Sequence, residues 1–268
     1  MNFREITDKT GRYNFHSHSR YCDGHGSLED YVRVALSERY THYGFSPHSP
    51  IAIPSPCNMK TDDVPVYLAE VDMLKAAYKG RIELFAGTEI DFLSPEHGPA
   101  NAYFQSLPLV YRIGSVHFLP SLDGDGRYYD IDGPYKRFRR YVDTYYDSDL
   151  RKVVELYYSQ STMMVQCGGF DVLAHLDKIA QNGAQYMPDL EQPPWYREVL
   201  DAYLETVIDS GLTVEINTKA YERTGRLFPI PDAIKKLRRG GVTLIVNSDS
   251  HYPDRITSGR AFIVTLFQ

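Results

Sequence analysis

Cysteine is scarce in this sequence, which contains three in 268 residues. Cys22, Cys57 and Cys167 are odd in number, widely spaced and form no C-x-x-C pair. This pattern argues against a disulfide framework and predicts reduced thiols in a cytoplasmic protein. The polar, mixed-charge residues 1–13 do not have the pattern of a signal peptide, which favours the same compartment.

Long apolar runs and an excess of positive charge are also absent. No stretch approaches the roughly 20 apolar residues that a transmembrane helix needs, so no membrane partner is predicted. The formal net charge of −6 argues against nucleic acid as a partner but leaves small anionic ligands open. No repeat, low-complexity tract or linker is evident, so we predict a single domain over residues 1–268.

Short apolar strands alternate with longer amphipathic helices along the chain. The predicted strands are 13–18, 43–46, 82–89, 111–118, 169–174, 213–217, 242–247 and a closing segment at 261–266. The predicted helices are 28–38, 66–78, 135–146, 150–167, 195–209 and 232–239. Ser27 and Asp30 resemble a capping box at the start of the first helix. This alternation predicts an α/β fold whose parallel sheet forms a closed or nearly closed barrel.

Histidines and carboxylates recur where the predicted strands end. His16 and His18 are two residues apart, so a strand presents both on one face. The nine candidate ligands are His16, His18, His25, His48, Glu89, His117, His175, Asp249 and His251. The carboxyl ends of the strands of a parallel barrel meet at one mouth, so we expect these side chains to converge there.

Nine ligands exceed the needs of one metal ion. Zinc takes about four ligands, so two or three ions fit this set, with a carboxylate bridging between them. Imidazole with carboxylate suits zinc, iron or manganese better than magnesium or calcium, which prefer oxygen ligands. The sequence therefore predicts a site for two or three transition metal ions.

The motifs around these residues resemble, in family order and over nearly the whole chain, the PHP (polymerase and histidinol phosphatase) phosphoesterases. They are His16-Ser17-His18, Cys22-Asp23-Gly24-His25, Ser46-Pro47-His48, Gly87-Thr88-Glu89-Ile90-Asp91, Gly114-Ser115-Val116-His117, Ala174-His175-Leu176-Asp177 and Ser248-Asp249-Ser250-His251. The resemblance implies a distorted (β/α)7 barrel, TIM-like, with three divalent metal ions (zinc, manganese or iron).

The resemblance also implies how the ligands are shared. One ion would be held by His16, His18, Glu89 and Asp249, and a second by Glu89, His117 and His175. The third would be held by His25, His48 and His251. Catalytic roles would fall to Asp249, Glu89 and His251.

Within the family, the chain length and the segment Glu215-Ile216-Asn217-Thr218 are most similar to the stand-alone histidinol-phosphate phosphatases. The implied reaction is hydrolysis of L-histidinol phosphate to L-histidinol and phosphate in histidine biosynthesis. Our hypothesis is that a metal-bound hydroxide attacks phosphorus, because phosphoryl transfer needs positioning and charge stabilisation. The chain departs from the family after Thr218, where Lys219-Ala220 replaces a small residue and a glycine.

Substrate contacts are less well marked than the ligands. Arginine suits phosphate recognition, and among several candidates we favour Arg197 and Arg226. Asn217 could contact the substrate or cap a turn. Asp23 is not predicted as a ligand: it could orient an imidazole from behind or form a turn.

Three other interpretations remain open. The chain could act on another small phosphomonoester or on phosphotyrosine. It could be an amidohydrolase that cleaves C–N bonds, although Glu89 stands where that class has a modified lysine. It could also be a binding module that the metals only stabilise. The sequence does not indicate the oligomeric state or the group that protonates the leaving alcohol.

Overall fold

Seven parallel strands form the central sheet in a computed structural model that describes residues 1–266. In chain order they are β1 (Tyr13–Asn14), β2 (His42–Phe45), β3 (Glu83–Asp91), β4 (Tyr111–Ser115), β7 (Val172–Leu173), β8 (Thr213–Asn217) and β9 (Leu244–Asn247). Each strand pairs with the next one in this order. An antiparallel hairpin of β5 (Phe118–Pro120) and β6 (Tyr128–Asp130) lies outside the barrel sheet. The predicted α/β barrel is confirmed.

Helices follow most of the strands and surround the sheet. They are α1 (Phe3–Lys9), α2 (Leu28–Ser37), α3 (Val64–Ala77), α4 (Ala102–Ser106), α5 (Tyr135–Tyr145), α6 (Leu150–Cys167), α7 (Ile179–Tyr186), α8 (Pro194–Ser210), α9 (Tyr221–Thr224), α10 (Pro231–Arg239) and α11 (Arg260–Leu266). The capping box at the start of α2 is confirmed: the Ser27 hydroxyl accepts from Asp30 N, and the Asp30 carboxylate accepts from Ser27 N. Across residues 1–266, no helix combines the length and apolarity needed to cross a bilayer.

Two asparagines join the first and last strands of the barrel. Asn14 Oδ1 accepts from Ser248 N at 2.8 Å, and Asn247 Oδ1 accepts from Phe15 N at 2.8 Å. Beyond them, His18 N donates to Ser250 O at 2.8 Å in a parallel bridge. Side-chain amides thus satisfy backbone groups that a regular ladder would pair, and they fix β1 and β9 side by side.

Aromatic side chains fill the interior of the barrel below its mouth. The Tyr111 hydroxyl crosses from β4 and donates to Phe15 O at 2.7 Å and Phe45 O at 3.0 Å. Gly44 makes room for this ring, since an added Cβ would lie 2.3 Å from the Tyr111 hydroxyl. The lower half of the barrel is therefore a packed core, and open space for chemistry is left at the carboxyl ends of the strands.

The predicted closing strand at 261–266 is wrong, because these residues form α11. A short apolar run has no periodicity that separates a buried strand from a buried helix. The asparagine seam already joins β9 to β1, so the barrel has no open edge there for another strand. As a helix, the segment buries Ile263 against Ile216 and Ile234. The pattern also missed α1, α4, α7 and α9, all of which have fewer than nine residues.

Candidate metal centre

The candidate ligands lie where β1, β2, β3, β4, β7 and β9 end. Backbone pairing beyond β2 places His48 beside Glu89, since Ser49 N donates to Glu89 O and Glu89 N donates to Pro47 O. His175 and Asp249 have positive φ values of 20° and 46°. Such values are unusual for residues with a side chain and cluster at functional sites. The chain thus bends sharply just where these two side chains turn into the mouth.

Glu89 lies at the centre of the cluster and is fully buried. Its Oε2 is 3.2 Å from His16 Nε2, 3.4 Å from His18 Nε2 and 3.1 Å from His48 Nδ1. Its Oε1 is 3.0 Å from His175 Nε2, and the nearest nitrogen of His117 is 3.7 Å away. One carboxylate therefore faces imidazoles on both of its sides, which is the arrangement a bridging ligand requires.

Three groups of donor atoms can each enclose an ion, with the atoms of a group within 4.8 Å of one another. They are His16, His18 and Asp249; His48, Glu89 and His117; and His18, Asp23, His48 and His251. His175 adjoins the second group, with its Nε2 3.2 Å from His117 Nε2. The structure thus brings together eight of the nine predicted side chains.

His25 is the predicted ligand that the structure does not bring to the cluster. Its ring is exposed and stacks on Tyr252, with centroids 4.3 Å apart, while its backbone N–H donates to His251 O at 2.8 Å. Asp23 occupies the corresponding place, with Oδ1 3.3 Å from His251 Nε2 and 3.9 Å from His48 Nε2. A tight turn explains why Asp23 and not His25 faces the cluster. Gly24 N donates to Ser19 O, so the chain folds back and directs the Asp23 side chain towards the centre.

Two further carboxylates hold the imidazoles from behind. Glu215 Oε2 lies 2.7 Å from His16 Nδ1, and Asp91 Oδ1 lies 2.8 Å from His117 Nδ1. Carboxylates in this position fix the ring orientation of a metal-binding histidine and make it a better ligand. Sequence reasoning missed both roles, although strand alternation places Asp91 on the same face as Glu89.

Asparagine side chains donate hydrogen bonds that hold these carboxylates in place. Asn247 Nδ2 donates to Glu215 Oε2 at 2.9 Å. Asn217 Nδ2 donates to Glu215 Oε1 at 2.7 Å and to Asp249 Oδ2 at 3.0 Å. Of the two predicted roles of Asn217, the turn cap is observed, since its Oδ1 accepts from Lys219 N at 3.0 Å, while its Nδ2 lies against these two carboxylates.

The chemistry of the cluster fits bound cations. Glu89 Oε2, Asp23 Oδ1 and His48 Nδ1 are buried without a hydrogen-bond partner, although imidazole and carboxylate atoms surround them. Burial raises the pKa of Glu89, but His16, His48 and His117 outweigh it and hold the pKa well below its usual range. Two carboxylate oxygens and an imidazole nitrogen that are buried without a hydrogen bond match the oxygen and nitrogen ligands of zinc, manganese or iron.

Metal binding should release protons. Burial lowers the pKa of His16, but Glu215, Glu89 and Asp249 raise it well above its usual value. Burial likewise lowers the pKa of His117, but Asp91 and Glu89 raise it to about 10. The raised pKa values favour the protonated form of both rings without metal, and each must become neutral to bind an ion.

We expect metal-free protein titrated with zinc at pH 7.5 to release about two protons per chain from these rings. The release should shrink as the pH passes through 10, because His117 is then already neutral, and zinc should bind more tightly up to that pH. Calorimetry in buffers of different ionisation enthalpy measures the number of protons. A release below about half a proton would contradict the charged state assigned to the two rings.

A cavity of about 1290 Å³ opens beside the cluster, between the loop at 132–135, α7 and the segments at 219–226 and 248–258. Its cationic lining residues are Lys178, Lys219, Arg223, Arg226 and Arg255. The predicted contact Arg226 is on this wall, but its guanidinium pairs with Glu191 at 2.7 Å and Asp177 at 3.5 Å. Arg197 does not line the cavity: it is exposed on α8 and bonds Glu191 O and Gln192.

Comparison with known proteins identifies relatives along nearly the whole chain. The family model described as "PHP domain" matches residues 14–219. A protein of Deinococcus radiodurans named "Probable histidinol-phosphatase" is 27% identical over 252 residues, covering 92% of this chain and 89% of that protein. The "Histidinol-phosphatase" of Bacillus subtilis is 22% identical over 254 residues, covering 88% of this chain and 92% of that protein.

Solved structures share the fold. The histidinol phosphate phosphatase of Lactococcus lactis, crystallised with zinc, L-histidinol and phosphate, superposes with a TM-score of 0.73. The superposition covers 95% of this chain and 93% of that one at 20% sequence identity. At that identity the likeness shows a common barrel, and the residues of this chain must carry the argument about its own chemistry.

Proposed function

Since the chain belongs to the PHP domain family, we propose that it is a metal-dependent phosphomonoesterase that hydrolyses L-histidinol phosphate to L-histidinol and phosphate. The observation that carries the reaction class is the shared carboxylate Glu89, which faces imidazoles on both sides at the mouth of the barrel. The substrate is proposed from the relatives, which are named histidinol-phosphatases.

We propose three divalent ions of zinc, manganese or iron, held by neighbouring groups of side chains. His16, His18, Glu89 and Asp249 would hold one, and Glu89, His117 and His175 a second. The third would be held by His48, His251 and Asp23, which takes the place predicted for His25. When bound, such ions make water nucleophilic at neutral pH and offset charge on a phosphoryl group.

The protein's own groups would hold this centre in place and receive the substrate. Glu215 and Asp91 orient His16 and His117 from behind, and Asn217 holds Asp249. A rigid arrangement of this kind needs little reorganisation during the reaction, and phosphoryl transfer depends chiefly on such positioning. The adjoining cavity offers room for a small phosphomonoester.

The test is phosphate release from L-histidinol phosphate beside phosphotyrosine, glycerol phosphate and a cyclic amide, with protein of counted metal content. We expect the value of kcat/KM for histidinol phosphate to exceed that of the other phosphomonoesters by at least about tenfold, because a site that hydrogen-bonds its substrate rejects analogues. Chelator-treated protein is the control and should be inactive until metal is restored.

The other outcomes separate the rival interpretations. Equal rates on all phosphomonoesters would remove histidinol phosphate as the specific substrate and keep the phosphoesterase. Hydrolysis of the amide alone would favour the amidohydrolase interpretation. No turnover of any compound by fully metal-loaded protein would overturn the enzyme assignment, because only a binding role would then remain.

A further inference from the structure

Lys219 lies where the metal centre opens into the cavity. We propose that Lys219 is a substrate-binding residue that holds the phosphoryl group at the edge of the centre. The inference rests on the proposed function in taking the centre to hold metal ions and the ligand to be a phosphomonoester. It does not depend on which alcohol the phosphate is attached to.

The backbone fixes Lys219 just beyond the end of β8. Its N–H donates to Asn217 Oδ1 at 3.0 Å, and the preceding Thr218 N–H donates to Asn247 O at 2.9 Å. The side chain then extends to the cluster, with Nζ 3.3 Å from Asp249 Oδ1 and 3.4 Å from His251 Nε2. The ammonium group therefore touches two of the three donor groups at their common edge.

Three of the other four cations that line the cavity are engaged by carboxylates. Lys178 is buried and lies 3.3 Å from Asp132, with its ammonium over the ring of Phe228. Arg226 pairs with Glu191, and Arg255 pairs with Glu222 at 3.2 Å. In these pairs the positive charges of Lys178, Arg226 and Arg255 take part in structural contacts.

Lys219 differs because its two polar contacts are both candidate metal ligands. An oxygen or nitrogen that gives its lone pair to a metal ion accepts less well from an ammonium group, and nearby cations repel that group. With metal bound, the three N–H donors of Lys219 are therefore available to hold an anion. The side chain is 36% exposed and lines the cavity, so an anion entering from there can reach Nζ.

A phosphoryl group supplies the required charge and geometry. It presents three acceptor oxygens, and charge-assisted hydrogen bonds to such oxygens are stronger than neutral ones. The position of Nζ beside both Asp249 and His251 places it next to any anion held at that edge. Lys219 would thus bind the phosphoryl group together with the ions and add positive charge on the cavity side.

The experiment measures the binding of inorganic phosphate to metal-loaded protein by calorimetry and by product inhibition. We expect Lys219→Met to weaken phosphate binding about 10- to 100-fold, because a hydrogen bond to a charged group is lost. The count of bound metal ions should stay unchanged, since Lys219 is not a ligand. Lys219→Arg should restore part of the affinity. Arg255→Met, which removes an exposed cation from the same cavity, should change it less than about twofold.

Two results would overturn the inference. The first is a phosphate affinity of the Lys219→Met protein within about twofold of wild type, because the loss of a hydrogen bond to a charged group should weaken binding more than that. The second is loss of metal from that variant, which would show that Lys219 only neutralises Asp249. If Lys219→Met does not fold, Lys219→Gln is judged by the same criteria. Phosphate binding could be weakened in Lys219→Met while the wild-type protein does not hydrolyse histidinol phosphate. In that case the proposed substrate would be wrong, and Lys219 would still be the phosphate-binding residue.

Discussion

Glu89→Gln protein should lose both its metal and its turnover. The carboxylate is buried and faces His16, His18 and His48 with one oxygen and His175 with the other. The amide that replaces the carboxylate has no negative charge for these groups to share, and its N–H groups would face a bound cation. Breaking a buried charged interaction costs about 3–5 kcal/mol, so we expect metal affinity to fall by about 10²- to 4 × 10³-fold.

Turnover should fall by at least the same factor, because the metals supply the nucleophile and the charge stabilisation. Metal analysis after dialysis and phosphate release under saturating metal measure the two effects separately. Glu83→Gln is the matched control, since Glu83 is an exposed carboxylate at the start of the same strand. A Glu89→Gln variant with full metal content and full activity would exclude a shared carboxylate at this centre.

The second large effect is expected from substitution of Asp23 and not from substitution of His25. Asp23 Oδ1 is buried without a hydrogen-bond partner between His48 and His251, whereas the His25 ring is exposed against Tyr252. We expect Asp23→Asn to lose about one ion per chain and to reduce kcat by about 10²-fold or more, because the third group loses its charged ligand. His25→Asn should keep the full metal count and most of the activity.

The two variants form a matched pair, since they lie on the same turn and each introduces asparagine. Metal content by mass spectrometry or absorption spectroscopy, and kcat for histidinol phosphate, are the two readouts. The reverse result, with metal lost from His25→Asn and kept by Asp23→Asn, would restore the ligand set predicted from sequence. That result would require the His25 ring to leave Tyr252 and turn into the centre when metal binds.

Strand periodicity explains why so much of the centre could be predicted from sequence. His16 and His18 are two residues apart and therefore share a face. Glu89, His117, His175 and Asp249 each lie within two residues of the end of a strand. In a parallel barrel all such ends meet at one mouth, so position along the chain already implies proximity. The prediction needed no knowledge of long-range contacts.

The conformation of turns and the partners of side chains outside the strands could not be predicted from the sequence. Asp23 and His25 are separated by one residue in a loop, and only the turn closed onto Ser19 decides which of them faces the cluster. Whether Arg226 meets substrate or a carboxylate depends on Glu191, a residue 35 positions away in the chain. A local pattern contains no information about such partners.

The sequence by itself determined the fold class, the end of the barrel where the histidines and carboxylates gather and most of the side chains in that cluster, because strand alternation and chain direction are local properties. Tertiary structure alone decided that Asp23 replaces His25 in the cluster, that Asp91 and Glu215 support its imidazoles, and that residues 260–266 form a helix. Those outcomes depend on which groups pack together across the barrel. Buried polar atoms must find partners wherever the fold supplies them, and the distance between two residues in the sequence does not limit that choice.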